Sequence, residues 1–252
     1  MPAPIAIQLY SVRDQLAKDY QGVITKIAEM GYVGVETAGY PGTTPAAAAK
    51  LFKSLGLTVC SGHMAMPIGE NVQKVIDEAA TVGCKRVISG FGPDDFKTPD
   101  AIKATCAKFN EAAANVAKAG LTFGVHNHWW EFSKLADGTP AYKVMLQHVA
   151  PKVFFELDTY WVQTGGCDPA AIVAEFGPRA PLLHIKDGPC QQGVPMTAVG
   201  DGKVNFAAVV KAAKNNTEWM IVELDSCATD MIEAVAKSCK YLVGKKLARG
   251  KK

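Results

Sequence analysis

The chain lacks several features that mark secreted and membrane-spanning proteins. Its seven cysteines are an odd number and include no CxxC pair, which favours reduced thiols in a reducing compartment. No apolar run approaches the roughly 18 residues of a membrane-spanning helix. The first residues, Met-Pro-Ala-Pro-Ile-Ala-Ile, lack the charged and long apolar regions of a signal peptide. We therefore expect a soluble, cytoplasmic protein that does not interact with membranes.

The chain also lacks a large excess of charge of one sign. Its net charge is +3, but the segment 245–252 carries five positive charges, so the remainder has a net charge of −2. A body with this charge is not a basic nucleic-acid binder, and the tail is most simply a solvated helix end. With 252 residues, of which 48% are apolar and 20% charged, the chain has the composition of a globular protein with a sizeable core.

Apolar segments recur about every thirty residues and alternate with segments of helical spacing. We predict eight strands, which end near Tyr10, Glu36, His63, Gly90, His128, Asp158, Asp187 and Leu224. Helices are predicted over 12–30, 46–55, 71–82, 98–119, 141–149, 169–176, 206–213 and 231–243. Near-continuously apolar strands that alternate with helices indicate a parallel sheet.

These elements predict an α/β protein with a single (β/α)8 TIM barrel as its one domain, residues 1–252. A doubly wound open sheet is the alternative, and it normally has a glycine-rich first strand-to-helix turn. Here that turn has no glycine, since it reads Tyr10-Ser11-Val12-Arg13-Asp14.

The most polar segment follows the apolar run of the fifth strand. It places His126, Asn127, His128 and Glu131 within six residues. Side chains of a strand alternate between its faces, so His126 and His128 are predicted to point the same way. Two inward imidazoles at a barrel mouth indicate metal or proton chemistry. The alternative is a pair of hydrogen-bonded core histidines.

Other polar residues lie at the predicted carboxyl ends of the strands, where TIM-barrel enzymes carry their active sites. They are Gln8, Tyr10, Glu36, His63, Asp158, Tyr160, Trp161, His184, Lys186, Asp187, Glu223 and Asp225. Burial of unpaired charges costs several kcal/mol each, so a barrel built for stability alone does not need them. Carboxylates and imidazoles at one mouth suit a divalent metal such as Mn, Zn, Co or Mg.

Each of these residues also has a structural explanation. Asp158 and Glu223 are open to pairing with backbone amides or with Lys186, and His184 to packing in the core. Lys186 is equally suited to a salt bridge with Asp187. Trp161 is either a core residue or a platform for a sugar ring. The loop 189–200 is long enough to act as a lid.

Five segments together resemble the sugar phosphate isomerase/epimerase family, the xylose-isomerase-like TIM barrels. They are Gln8-Leu9-Tyr10-Ser11-Val12-Arg13-Asp14, His126-Asn127-His128-x-x-Glu131-Phe132, Leu157-Asp158-Thr159-Tyr160-Trp161, His184-Ile185-Lys186-Asp187 and Val222-Glu223. The resemblance spans nearly the whole chain, but its motifs say little about which substrate is bound. It implies a divalent metal, often Mn, held by residues of strands five to eight, and Asp158, His184 and Glu223 match the last three ligands.

The first ligand departs from the family pattern. Family epimerases have a glutamate inside the fifth strand, where this chain has His126. We predict that Glu131 is the fourth ligand because a carboxylate matches the family's ligand type. The spacing favours His126 instead, and a histidine in this strand also resembles the inosose dehydratase branch.

The resemblance implies a metal-dependent isomerase or epimerase that acts on a small keto-sugar or polyol through an enediolate. Glu223 would be one acid/base group, and His126, His128 or Glu131 would be the opposing one. Lys186 is also predicted to be a catalytic residue. Tyr10, Glu36, His63 and Trp161 are predicted to bind substrate. The alternative is a metal-dependent lyase that acts on a keto-sugar or keto-inositol.

Two further classes remain open. The first comprises relatives of endonuclease IV, which share the barrel but would need more metal ligands and a basic face. The second is a barrel that binds a ligand without a metal. Whether the chain forms a homo-oligomer is left open by the sequence.

Overall fold

Eight parallel strands form a closed barrel in which each strand pairs with the next in the chain and the last pairs with the first. These features come from a computed structural model that describes residues 1–251. Lys252, the last residue of the basic tail, lies outside the described residues. The arrangement confirms the predicted (β/α)8 barrel.

The strands occupy the predicted segments. Their bounds are β1 Ile5–Gln8, β2 Gly34–Thr37, β3 Thr58–His63, β4 Arg86–Ser89, β5 Thr122–His126, β6 Phe154–Asp158, β7 Leu182–Ile185 and β8 Trp219–Val222. The first, fifth, seventh and eighth strands end two residues earlier than predicted. The polar residues that follow them, such as His128 and Glu223, therefore lie on the loops at the mouth of the barrel.

Ten α-helices surround the barrel within the described chain. They are α1 Arg13–Leu16, α2 Tyr20–Glu29, α3 Pro45–Leu55, α4 Asn71–Val82, α5 Pro99–Ala117, α6 Ala141–His148, α7 Thr159–Thr164, α8 Pro169–Phe176, α9 Phe206–Ala213 and α10 Met231–Gly244. The single helix predicted over 12–30 is divided, because Asp19 caps a new helix by accepting from Gly22 N. The short helix α7 was not predicted.

The inside of the barrel is layered from apolar at the floor to charged at the mouth. A small apolar cluster of Ala6, Cys60, Ile88, Leu182 and Ile221 fills the lower part. Side chains two residues further along a strand share its face, so residues such as Gln8 and His184 form the next layer. A larger apolar core lies between the strands and the helices.

Gly124 in β5 illustrates how the floor is packed. A Cβ atom at this position would collide with the ring of Phe154 in the neighbouring strand. The missing side chain lets the Phe154 ring approach the β5 backbone closely. His126, two residues later on the same strand, then stands above this packed floor.

Among the described helices, none is long and apolar enough to cross a membrane.

Candidate metal centre

Four ionisable side chains from four consecutive strands converge at the mouth. His126 and Asp158 are the last residues of β5 and β6, His184 lies within β7, and Glu223 directly follows β8. One ligand atom from each lies within 4.8 Å of the other three. All four residues are buried. We call His126, Asp158, His184 and Glu223 the outer group.

The converging atoms of the outer group form no well-aligned hydrogen bond among residues 1–251, although some of them lie at short distances from one another and from Lys186. They are His126 Nε2, Asp158 Oδ2, His184 Nδ1 and Glu223 Oε2. His184 Nδ1 lies 2.8 Å from Glu223 Oε2, and His126 Nε2 lies 3.5 Å from Asp158 Oδ2. Buried polar atoms normally form well-aligned hydrogen bonds, so four that meet at one point without any need an explanation. Two imidazole nitrogens and two carboxylate oxygens fit a divalent ion such as Zn, Co or Mn.

Lys186 lies beside the two carboxylates of the outer group. Its Nζ is 3.1 Å from Asp158 Oδ2 and 2.8 Å from Glu223 Oε2, and it donates to both oxygens of Asp225 at 3.1 and 3.0 Å. Burial alone would lower the pKa of Lys186, but these carboxylates hold it well above its usual value. The side chain is therefore a buried ammonium ion that offsets part of the negative charge.

Burial sets the direction of the pKa shifts of Asp158 and His126. It raises the pKa of Asp158 to about 6, although Lys186 and His184 act in the opposite direction. Burial and the neighbouring imidazoles, led by His184, hold the pKa of His126 well below its usual value. His126 is therefore neutral near pH 7 and has a nitrogen lone pair available to a metal.

A second group of four lies deeper in the barrel and shares His184. We call Glu36, His63, Glu156 and His184 the inner group, and one ligand atom of each again lies within 4.8 Å of the others. His184 Nε2 is 2.8 Å from Glu36 Oε1 and 3.1 Å from Glu156 Oε2. His63 Nε2 is 2.6 Å from the same Glu156 oxygen. The two nitrogens of His184 thus face different groups.

The inner carboxylates are unequal. Burial and the charge of Glu156 raise the pKa of Glu36 to about 7. Burial also acts to raise the pKa of Glu156, but His184 and His63 hold it well below its usual value. Glu36 receives further hydrogen bonds from Gln8 Nε2, at 2.7 Å, and from the Ser61 hydroxyl. The inner group is therefore a hydrogen-bonded network with Glu156 as its permanent negative charge.

Glu131 lies outside the outer group, which contains His126 instead. The Glu131 side chain is buried, and its Oε2 accepts from the backbone N–H of His128 at 2.9 Å. Burial raises the pKa of Glu131 to about 8. The carboxyl group thus turns back to its own loop, which closes the short 3₁₀ helix Trp130–Phe132 against the strand end.

An open cavity of about 760 Å³ lies above the outer group. Three of the four residues predicted to bind substrate, Tyr10, His63 and Trp161, line it. The fourth, Glu36, is fully buried in the inner group and does not line the cavity, because Gln8, Ser61 and His184 bind its carboxylate below the mouth. The predicted catalytic residues Glu223, His126, His128 and Lys186 all line the cavity.

The His128 ring stacks on Trp130 with ring centroids 4.1 Å apart and an angle of 12° between the planes. Burial, with the charge of Lys186, lowers the pKa of His128 to about 3. The ring is therefore neutral near pH 7. His126 and His128 both face the cavity, as their alternation in the sequence predicts.

Sequence reasoning missed Glu156. It lies in the apolar segment Phe154-Phe155-Glu156-Leu157, whose pattern indicates a buried strand rather than a functional site. The available signal was its spacing of two residues from Asp158, which places both side chains on the same face of β6. Asp225, which lines the cavity and pairs with Lys186, was noted only as a polar residue near a strand end.

Asp187 holds the loop that the sequence suggested as a lid. Its carboxylate accepts hydrogen bonds from four backbone N–H groups, those of Gly188, Gly200, Gly202 and Val204, at 2.9–3.2 Å. Lys186 consequently pairs with Asp158, Glu223 and Asp225 rather than with Asp187. Both ends of the loop are fixed to the end of β7.

Comparison with solved structures gives several matches over nearly the whole chain. A sugar phosphate isomerase/epimerase from Parabacteroides distasonis is 27% identical with a TM-score of 0.83, and the match covers 99% of this chain and 96% of that one. A probable 3-DHS dehydratase from Bacillus anthracis is 14% identical with a TM-score of 0.77 and coverages of 95% and 98%. An L-ribulose 3-epimerase is 16% identical with a TM-score of 0.70 and coverages of 97% and 94%. The last two matches show the fold alone.

No curated protein matches the chain. The sequence model of one family matches residues 24–243, which is most of the chain, and that family is described as the xylose isomerase-like TIM barrel. Together with the closed eight-stranded barrel and the structural matches, this shows that the chain belongs to the xylose isomerase-like TIM barrel family.

Proposed function

We propose that the protein is a metal-dependent isomerase or epimerase that moves a proton next to the carbonyl group of a keto-sugar. The observation that carries the proposal is the convergence of four buried ligand atoms, none with a well-aligned hydrogen bond, at the floor of an open cavity. Membership of the family and the similarity to a sugar phosphate isomerase/epimerase support this class of reaction.

The metal ligands in this proposal are His126, Asp158, His184 and Glu223. His126 takes the place that the sequence assigned to Glu131, because its Nε2 lies with the other ligand atoms whereas Glu131 bonds to its own loop. Mn, Zn or Co suits this mixture of nitrogen and oxygen ligands. When bound, the ion would polarise the carbonyl and the neighbouring hydroxyl of the substrate.

Two residues of the cavity wall are placed to move the proton. Glu223 follows β8 and His128 follows β5, three strands away around the barrel, so they approach a substrate from different sides. Glu223 would use Oε2 as a ligand atom and Oε1 as the proton acceptor. The neutral ring of His128 would exchange a proton on the other side. The ammonium group of Lys186 would stabilise negative charge that develops on the substrate oxygen.

The proposal is tested with metal-loaded protein and a panel of ketoses in deuterated water, followed by NMR. Deuterium at the carbon next to the carbonyl, with no change in composition otherwise, is the expected result. A variant Asp158→Ala, which removes one ligand, should show no exchange. Exchange that is equally fast in metal-stripped protein would overturn the proposal.

A lyase reaction on a keto-sugar or keto-inositol is the second candidate, and Lys186 favours it. A buried ammonium group that lines the cavity can donate a proton to a departing hydroxyl group. The same NMR experiment separates the two reactions, since elimination produces an unsaturated product that has lost water. Isomerisation retains the composition of the substrate.

A further inference from the structure

The cavity above the outer group is larger than a single sugar ring requires. Its volume is about 760 Å³, which lies in the upper part of the range of roughly 300–1,000 Å³ for pockets that enclose drug-sized ligands. A single sugar ring is smaller than such a ligand. The outer group and Lys186 occupy only the floor. The remaining space extends to residues on the loops beyond the strands, such as Phe91 and Gly92 after β4.

Aromatic side chains line this outer space on opposite sides. Tyr10 follows β1, and Trp130 follows β5, which is four strands away in the eight-stranded barrel. Phe91 and Trp161 also line the cavity. Tyr10 is 43% exposed although its side chain is a large aromatic ring. The Arg13 guanidinium lies 4.0 Å from the centroid of that ring. Aromatic side chains on both sides suit contact with the apolar C–H groups of a ring between them.

The cavity does not offer a site for a phosphate group. His63 lines the cavity and already bonds to Glu156; apart from it, the one cationic side chain among the described lining residues is that of Lys186. Its ammonium group already contacts Asp158, Glu223 and Asp225. Arg13, close to the rim, donates to the backbone oxygens of Tyr10 and Asp225. A phosphate group in the outer space of the cavity, away from the metal, would meet these carboxylates without a free cationic side chain to compensate.

From the size, the aromatic walls and the charge, we infer that the substrate is an unphosphorylated keto-disaccharide, whose keto-sugar unit reacts over the outer group in its open-chain form and whose second sugar ring lies between Tyr10, Phe91 and Trp130. This inference rests on the proposed function, because it assumes that a keto-sugar binds at the outer group. The aromatic faces contribute to binding of the second ring through apolar contact with its C–H groups.

Gly92 provides a direct test of the second-ring site. It lies three residues beyond the end of β4 at φ −79°, a value that any residue adopts, and a Cβ atom there meets nothing within 4 Å. The substitution Gly92→Leu therefore extends a side chain into open space at the rim without backbone strain. Gly244 at the end of α10 is a matched control, since an added Cβ there also meets nothing and the residue does not line the cavity.

The experiment measures affinities by calorimetry with the metal-loaded protein. The ligands are fructose, fructose 6-phosphate and four keto-disaccharides, namely lactulose, maltulose, isomaltulose and turanose. We expect the best keto-disaccharide to bind at least about tenfold more tightly than fructose. The ratio of these two affinities should fall by about tenfold in Gly92→Leu and in Tyr10→Ala, and remain unchanged in Gly244→Leu.

The outcomes distinguish the two proposals. Fructose or fructose 6-phosphate binding as tightly as every keto-disaccharide, in a metal-dependent way, would overturn the inference and leave the proposed function in place. An unchanged ratio in both Gly92→Leu and Tyr10→Ala would overturn it as well. Absence of metal-dependent binding for all six ligands would contradict the proposed function itself, and the inference with it.

Discussion

The outer and inner groups are built from the same residue types and share His184, yet their ligand atoms are satisfied differently. In the inner group, the carboxylates and imidazoles bond to one another at 2.6–3.1 Å, and Gln8 and Ser61 complete the network. In the outer group, the corresponding atoms lie close to one another and to the Lys186 ammonium group without well-aligned hydrogen bonds in the described chain, and His126 and Glu223 line the cavity.

The comparison indicates that a cluster of potential ligands is not by itself a metal site. The inner group orients His184, because Nε2 bonds to Glu36 and Glu156 and directs Nδ1 to the outer group. Histidines that bind a metal commonly donate their other N–H to a carboxylate in this way. We therefore expect the outer group to bind the cation and the inner group to position one of its ligands.

Removing an outer ligand should have the largest effect. Asp158→Ala, His184→Ala and Glu223→Ala should each weaken binding of Mn or Zn by more than about 100-fold, because few protein ligands hold the ion. Calorimetric titration of metal into stripped protein measures this. Asp201→Ala is the control, since Asp201 is an exposed carboxylate that pairs with Lys237. Any of the three variants that binds metal like the wild type would remove that residue from the ligand set.

Substitution in the inner group should have a smaller effect on the same measurement. Glu156→Gln removes the permanent charge that faces His184 Nε2 and should weaken metal binding by about 10- to 100-fold. Glu36→Gln should have less effect, since the pKa of Glu36 is raised to about 7 and the carboxyl group is partly protonated already. If the inner group bound the metal itself, the two variants would lose affinity equally.

Acid should weaken metal binding at the outer group. Burial raises the pKa of Asp158 to about 6, so below this pH a metal has to displace a proton from its carboxyl group. Burial acts to lower the pKa of His184, but Glu156, Glu223 and Glu36 hold it well above its usual value, so a metal displaces a proton from this imidazole as well. We expect the affinity to fall with falling pH, and to fall more steeply, by about a further tenfold per unit, below pH 6. Metal titrations in buffers from pH 5 to 8 provide the measurement. An affinity independent of pH would place the ion away from Asp158.

The smallest effect on metal binding is expected for Glu131→Gln, which should leave the affinity nearly unchanged. Its effect should appear in stability instead. Burial raises the pKa of Glu131 from 4.5 to about 8, so the folded state binds the extra proton and stability falls as the pH rises through this window. Denaturant unfolding at pH 5 and 8.5 measures the free energy of unfolding. Its decrease between these two pH values should be smaller in the variant than in the wild type by on the order of 3 kcal/mol.

The result would also decide the ambiguity of the fifth strand. A large loss of metal affinity in Glu131→Gln, together with none in His126→Gln, would restore Glu131 as the fourth ligand. The opposite pattern would support His126.

The sequence contained most of the fold. The eight apolar segments and their helices appear at the predicted places because burial on both faces and helical periodicity are local patterns. The division of the first helix was missed, since the cap at Asp19 competes with a continuous apolar spacing. Helix α7 was missed because only six residues follow β6 before the next turn.

The site was less accessible from the sequence. Asp158, His184 and Glu223 lie together because strand ends meet at one mouth, which topology alone predicts. The choice between His126 and Glu131 depends on the direction of the chain after the strand, where Glu131 bonds back to His128 N. Such a turn has no periodic signal. Glu36 was predicted to bind substrate at the cavity. Its depth in the barrel depends on the register between strands, which a single strand's sequence does not give.

The carboxylate of Asp187 bears on how quickly a ligand enters the barrel. Because it holds N–H groups at both ends of the following loop, these ends are ordered before any ligand arrives. Association then loses little conformational entropy at the ends of the loop. The part of the rim that they form is consequently preformed, and a ligand meets it without first having to order it.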